Sequence, residues 1–484
     1  MSGEFVEAAT TAGRVRGRRR DDDSIAFLGI PFAEAPVGEL RFAAPVPHRA
    51  WAGVRDALEY GATPKRHDPS EITLIPEPAI PGQSTLNLNV FTPDLAGDAP
   101  VLVYIHGGGY VAGSPASPWY DGAAFVRDGV VTVTISYRLG FDGFGWISDA
   151  PTNRAIRDQL LALQWVRDNI RSFGGDPGRV TLAGQSAGGS AVLTLMAVPA
   201  ARGLFHAAYA MSAPDAVVDA ERAERLGRRV AELGGVEPTR AALATLDEAR
   251  ILELQKQAER PAGGTAAAAA AELLNGGLSW APQVDGELLP ERPLDALRAG
   301  ASADIPLVIG ATDDEFSMSL DAAAKKLRWV PVGLALGRLG VPRERRRAWL
   351  AANRDLRGRG TARTLGRFVT DTVFRSTVLR VADARGTAPT WVYRFAWAST
   401  KSGIALHCID VPFFFDCLAE RHVAGLTGPN PPQELADAVH GGAVALIRGG
   451  DPGWEPVAAS GVSRLFAVPD GTDPDAFAGA RPLL

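Results

Sequence analysis

Short apolar runs rich in valine and isoleucine punctuate the first half of the chain, at residues 101–105, 130–135 and 180–183, and none holds a charged residue. Runs of that length and composition predict strands buried on both faces of a sheet. Between the last two, Leu160, Leu161, Leu163, Val166 and Ile170 recur at helical spacing within residues 157–171. Strand, helix and strand in that order predict an α/β architecture with a mostly parallel twisted sheet flanked by helices. Two later runs, residues 305–309 and 390–395, extend the predicted sheet far into the chain.

The pattern changes twice. Residues at about 215–275 and 321–358 turn to alanine, glutamate, arginine and leucine in long amphipathic stretches, the first with a poly-alanine run at 266–271. Both read as helical insertions over the catalytic face of one domain spanning residues 1–484; the plainer alternative is ordinary packing helices. No internal repeat or long linker divides the chain. The sharpest charge block, Arg18-Arg19-Arg20-Asp21-Asp22-Asp23, has opposed signs between two strand-like stretches and predicts a solvated hairpin tip.

Composition excludes more than it assigns. With 484 residues, 46% of them hydrophobic, the chain can build a large core without metal or disulfide. A formal net charge of −5 and scattered basic residues leave no footprint for nucleic acid. The two cysteines, Cys408 and Cys417, are too few for a disulfide framework and lack metal-ligand spacing. No apolar segment follows Met1-Ser2-Gly3-Glu4, and no run approaches the roughly 18 apolar residues of a membrane span. The expectation is a cytoplasmic protein with no membrane partner, as monomer or homodimer. Arginine in preference to lysine, with abundant alanine, points to a bacterium with a GC-rich genome.

Chemistry enters at Gly184-Gln185-Ser186-Ala187-Gly188, which follows the 180–183 strand and precedes a helical run at 190–198. A strand-to-helix turn with glycines two residues either side of the serine is the nucleophile elbow of α/β-hydrolases. Chance alone gives that pentapeptide in roughly one such chain in four, so it needs independent support. His106-Gly107-Gly108-Gly109-Tyr110, directly after the 101–105 strand, supplies it. Its consecutive glycines let backbone N–H groups converge on one point, as an oxyanion hole requires. Gly108 and Gly109, with Ala187, are the candidate donors; His106 is expected to support the loop.

A serine hydroxyl needs a base, and the base needs a carboxylate to hold its tautomer. Asp313, Asp314 and Glu315 follow the 305–309 strand, and pattern alone does not choose among them. Of the histidines beyond them, His407 lies on a loop after the 390–395 strand, while His422 and His440 have helical surroundings; His407 is the candidate base.

These segments resemble the type-B carboxylesterase family, the para-nitrobenzyl esterase and cholinesterase-like group. Co-linear matches run from Phe27-Leu28-Gly29-Ile30-Pro31-Phe32 through Leu86-Asn87-Leu88-Asn89-Val90 and Ser136-Tyr137-Arg138-Leu139-Gly140 to Phe173-Gly174-Gly175-Asp176-Pro177. The two helical insertions match nothing. The resemblance implies an α/β-hydrolase fold, Glu315 as the acid and His407, ahead of Asp410 and the Pro412-Phe413 pair, as the base. It also implies that Ser212 hydrogen-bonds behind the triad, that Gln185 supports it, and that Arg138 and Asp158 form a buried structural ion pair. The chain departs from the family at Gln83-Ser84-Thr85-Leu86, where a disulfide cysteine and a carboxylate partner for Arg41 are missing. Gln185 replaces a glutamate, and Asp410 is shorter than the usual glutamate.

The implied activity is carboxylic-ester hydrolysis through an acyl-enzyme on a small, apolar ester, with no cofactor and no metal. Tyr110, Phe316 and Phe413, adjacent to motif residues, are candidate pocket walls. Two alternatives stand beside it: hydrolysis or transfer of another acyl group (carbamate, thioester or amide), and a silent binding protein that keeps the fold.

Overall fold

The computed structural model describes residues 4–66, 75–260, 274, 277–318 and 320–484. The poly-alanine run at 266–271 lies outside them. Among the described residues thirteen strands form one sheet: β1 (Phe5–Ala9), β2 (Arg14–Arg19), β3 (Ile25–Pro31), β4 (Val54–Asp56), β5 (Asn87–Thr92), β6 (Ala99–Ile105), β7 (Val131–Ile135), β8 (Gly175–Gln185), β9 (Ala207–Met211), β10 (Leu307–Thr312), β11 (Thr390–Phe395), β12 (Ser463–Phe466) and β13 (Gly471–Asp473). Their order is β1-β2-β3-β5-β7-β6-β8-β9-β10-β11-β12-β13, with β4 beside β2. From β7 to β12 every neighbouring pair is parallel. The strands at either end pair antiparallel, except β4, which runs parallel to β2.

All five apolar runs lie on this sheet, and β6 shows why the first three carry no charge. Val101, Val103 and Ile105 enter one hydrophobic core, while Leu102 and Tyr104 enter a second on the opposite face. Burying one such side chain contributes about 1.5–3 kcal/mol. The helical spacing at 157–171 becomes the helix Arg154–Asn169, continued by a 3-10 turn, Ile170–Phe173. The Arg18–Asp23 block forms the antiparallel β2–β3 hairpin, though Arg20 is not free at its tip: it pairs with Asp121 at 2.7 Å.

The two insertions differ. Helices Ala220–Gly234 and Glu248–Ala258 put Val230, Ala231, Ile251 and Leu254 into the main core. Residues 321–358 instead share a separate small core in which Leu336, Trp349 and Leu356 meet Leu365, Phe368 and Leu483. Among the described residues no helix is long and apolar enough to cross a membrane.

Candidate active site

The site lies where the parallel strands end, at their C-terminal edge. Ser186 occupies the turn from β8 into the helix Ala187–Ala197, with φ 57° and ψ −123°. Only glycine fits around so sharp a turn: a Cβ on Gly188 would stand 2.0 Å from the Ile105 carbonyl oxygen, and one on Gly184 2.4 Å from Gly188 carbonyl atoms. Ser186 N–H donates to the Met211 carbonyl at 2.9 Å, tying the elbow to the end of β9.

His407 Nε2 lies 3.0 Å from Ser186 Oγ, and its Nδ1 lies 2.5 Å from Glu315 Oε2. Glu315 Oε1 accepts the Thr312 N–H at 2.7 Å, and the Glu315 carbonyl accepts the His407 N–H at 3.1 Å. Backbone and side chain thus lock the loop after β10 to the histidine loop. The structure also separates the three carboxylates that pattern left open. Asp313 forms a two-pronged pair with Arg394, both contacts 2.7 Å. Asp314 faces Arg359 at 3.3 Å and Arg367 at 3.5 Å. Glu315, its side chain fully buried, has no arginine and meets the imidazole. Burial alone would disfavour the imidazolium, yet the neighbouring Cys408 sulfur and the Glu315 carboxylate outweigh it and raise the His407 pKa well above the usual histidine value.

The glycine loop after β6 curls over His106. His106 Nδ1 contacts the Gly107 carbonyl at 2.9 Å, its ring stacks on Tyr137 at 4.5 Å, and burial pushes its pKa down to about 3. A neutral, stacked imidazole buttresses the loop. The N–H groups of Gly108, Gly109 and Ala187 donate to no other described residue. Gly108 and Gly109 line the same cavity as Ser186 and His407, a space of about 660 Å³.

Three expectations need correction. Tyr110 and Phe413 are no part of that lining. Tyr110, at φ 63°, turns inward onto Phe144 at 4.7 Å, and Phe413 is buried against Phe395 and Trp397. Ser212 is buried at the end of β9, but its hydroxyl makes no hydrogen bond with a described residue. Phe316 does line the cavity and stacks on His407 at 5.1 Å. Gln185 Nε2 approaches His407 Nε2 at 3.3 Å. Arg138 and Asp158 form the buried pair, at 2.6 and 2.8 Å. Arg41, lacking the family's carboxylate, has Asp142 at 3.8 Å and donates to the Leu246 carbonyl.

Other residues at the site carried no recognisable signal. Phe374 lies in a π-helical turn, Asp371–Arg375, that interrupts a helix and sets its ring 5.2 Å from His407; such turns recur at functional sites. Glu77, buried beside Arg66 at 3.5 Å, accepts the Gly113 N–H at 2.7 Å and so fastens the far end of the glycine loop. Burial pushes its carboxyl up to about 7, against the Gly113 hydrogen bond and the Arg66 charge. Asp410, held by Tyr393 Oη at 2.9 Å, is likewise raised to about 7 by burial and by the charge of Glu315.

A doubly flanked parallel sheet with an elbow serine, a histidine and a buried glutamate at its C-terminal edge defines a hydrolase class, and comparison with known proteins gives the family. The chain belongs to the carboxylesterase family, which it matches over residues 4–452. It is a serine carboxylic-ester hydrolase with the α/β-hydrolase fold. It is 32% identical over 474 residues to the para-nitrobenzyl esterase of Bacillus subtilis, covering 93% of this chain and 91% of that one. It is 34% identical over 474 residues to phenmedipham hydrolase of Pseudarthrobacter oxydans, covering 92% and 90%. Among solved structures, a Geobacillus stearothermophilus carboxylesterase at pH 6.2 superposes with a TM-score of 0.85 at 31% identity, each chain covered to 99%.

Proposed function

We propose that Ser186 is the nucleophile, His407 the general base and Glu315 the acid that orients it. The observation carrying this is the unbroken line of contacts from Glu315 Oε2 through both ring nitrogens of His407 to Ser186 Oγ. Ser186 Oγ attacks the ester carbonyl carbon as its proton passes to His407 Nε2. The oxyanion forms at the N–H groups of Gly108, Gly109 and Ala187, and collapse expels the alcohol, which takes the proton from His407. Water, deprotonated by the same nitrogen, then releases the acid. Gln185 supports the imidazole, and Phe316 and Phe374 keep its plane fixed.

The ester has an apolar body, since Ile75, Leu278, Phe316, Phe368 and Phe374 contribute much of the lining. Residues 1–484 act as one domain, supported by the single sheet of the described residues, and the 321–358 insertion covers the cavity through Leu339, Val341 and Pro342. A bacterial cytoplasm is the proposed setting, supported by two free thiols in place of a disulfide.

The reading is tested by rapid mixing with para-nitrophenyl esters and by organophosphate labelling. One equivalent of nitrophenolate is expected in a burst before steady state, with the organophosphate on Ser186 by peptide mass mapping. No burst and a label elsewhere would remove Ser186 from the mechanism.

The oxyanion assignment has its own test. Gly108 sits at φ 107°, and a Cβ there would stand 2.4 Å from the Ala112 carbonyl group, so the loop must move in Gly108→Ala. Loss of one donor is expected to lower kcat by about 10²–10³ with a smaller change in KM. At Gly109, with φ 61°, a new Cβ would strain the backbone but meet no atom closer than 4.0 Å, so Gly109→Ala is expected to retain more activity than Gly108→Ala. Steady-state kinetics of the two variants check the order.

A further inference from the structure

The 321–358 insertion carries a charge that ester hydrolysis does not itself use. It holds ten basic side chains against three acidic ones, in a chain whose formal net charge is −5. None of the ten forms a salt bridge with another described residue; of the three acidic ones, Asp321 is taken by Arg363 from outside the stretch, at 2.7 Å. A surface of one sign at the mouth of a cavity concentrates ligands of the other sign.

Inside, the lining holds three arginines and three carboxylates, but they do not all pair with one another. Two guanidinium groups of the lining have no carboxylate partner among the described residues: exposed Arg345 on the helix Arg343–Ala352, and half-buried Arg380 on the helix Ser376–Arg385. Arg380 donates once, to the Leu483 carbonyl at 3.1 Å, out of five N–H groups. Other lining charges are engaged: Arg292 faces Asp215 at 3.4 Å, Asp219 caps the helix Ala220–Gly234 through the Arg222 N–H, and Glu77 faces Arg66. A wholly neutral ester would leave the Arg380 fork and the cationic cover without a partner, whereas a carboxylate matches that fork.

We infer that the cavity selects esters bearing a free carboxylate away from the scissile bond, of which the half-ester of a dicarboxylic acid is the simplest. Arg380 and Arg345 receive the carboxylate, and residues 321–358 draw it to the mouth. This rests on the ester-hydrolase reading above. The apolar body lies along the phenylalanines near Ser186 and the anionic end against the arginines.

The test compares mono-para-nitrophenyl glutarate with para-nitrophenyl pentanoate, two esters of the same acyl length that differ by the carboxylate. The wild-type ratio of kcat/KM is expected to favour the half-ester about tenfold at low salt and to fall as salt is added. In Arg380→Gln and Arg345→Gln the ratio is expected to drop by about tenfold, mostly through KM, and Arg380→Lys is expected to recover part of it. Turnover of the pentanoate reports that each variant is folded. Equal or better use of the pentanoate by the wild type, or a ratio unmoved in both glutamine variants, overturns the inference alone. So does binding to phosphatidylglycerol vesicles with no preference for the soluble half-ester, which would assign the cationic cover to a lipid surface. Inactivity on both esters overturns the esterase reading and this inference with it.

Discussion

Ser186→Ala is expected to lower kcat for para-nitrophenyl esters by about 10⁶-fold while leaving the fold intact. The size of the loss follows from the line of contacts: without Oγ, His407 Nε2 has no nucleophile to activate, and only binding and the oxyanion donors remain. The fold is insulated because the hydroxyl does not hold the elbow. Ser186 N–H donates to the Met211 carbonyl, its own carbonyl accepts the Ser190 N–H, both at 2.9 Å, and the glycine clearances at 184 and 188 are untouched. Ser186 is only partly buried, so its removal leaves no sealed unpaired group on the serine side, and His407 Nε2 keeps Gln185 within 3.3 Å. The thermal midpoint of the variant should stay within a few degrees of wild type, a change of about 1 kcal/mol or less. Retention of more than about one part in a hundred of the activity would mean that another group attacks the ester.

The framework of this site was legible because backbone constraints write themselves locally. An elbow that brings Gly188 against the Ile105 carbonyl tolerates no side chain, and a loop folded over His106 needs successive glycines, so both appear as motifs. The acid was not legible from pattern. Asp313, Asp314 and Glu315 share one loop, and what separates them is distant in sequence: Arg394 claims the first, Arg359 and Arg367 the second, leaving Glu315 for His407. Family resemblance, not spacing, pointed to Glu315. Of the three aromatic walls, Phe316 lines the cavity, while Tyr110 and Phe413 failed for a related reason. Adjacency to a motif says nothing of direction, and the left-handed backbone at Tyr110 turns that ring into the core, while Phe374, far from any motif, reaches His407 through a π-turn. Glu77 escaped notice because its partners, Arg66 and the Gly113 N–H, join it only in three dimensions.

Glu315→Gln is expected to lower kcat by about 10⁴-fold and to move the pH profile in a direction that a merely structural change would not. Glutamine keeps the shape and can still accept the Thr312 N–H through its carbonyl oxygen. Its amide then faces His407 Nδ1 with a donor, which favours the tautomer carrying its proton on Nε2, the nitrogen that must accept from Ser186. In the wild type the Cys408 sulfur and the Glu315 carboxylate raise the His407 pKa against burial. Because only neutral imidazole is a base, kcat/KM should rise with pH along a limb centred above the ordinary histidine value of about 6.5. Removing the carboxylate takes away one of the two groups that oppose burial, so the limb of the residual activity should shift to lower pH. Stability carries the same sign. A histidine whose folded pKa exceeds its unfolded value contributes in full below about pH 6.5 and loses that contribution as pH climbs through the folded pKa. The gap in thermal midpoint between wild type and Glu315→Gln should therefore be wider at pH 6 than at pH 10, and a gap that widens with rising pH would mean that the carboxylate does not hold a proton on His407.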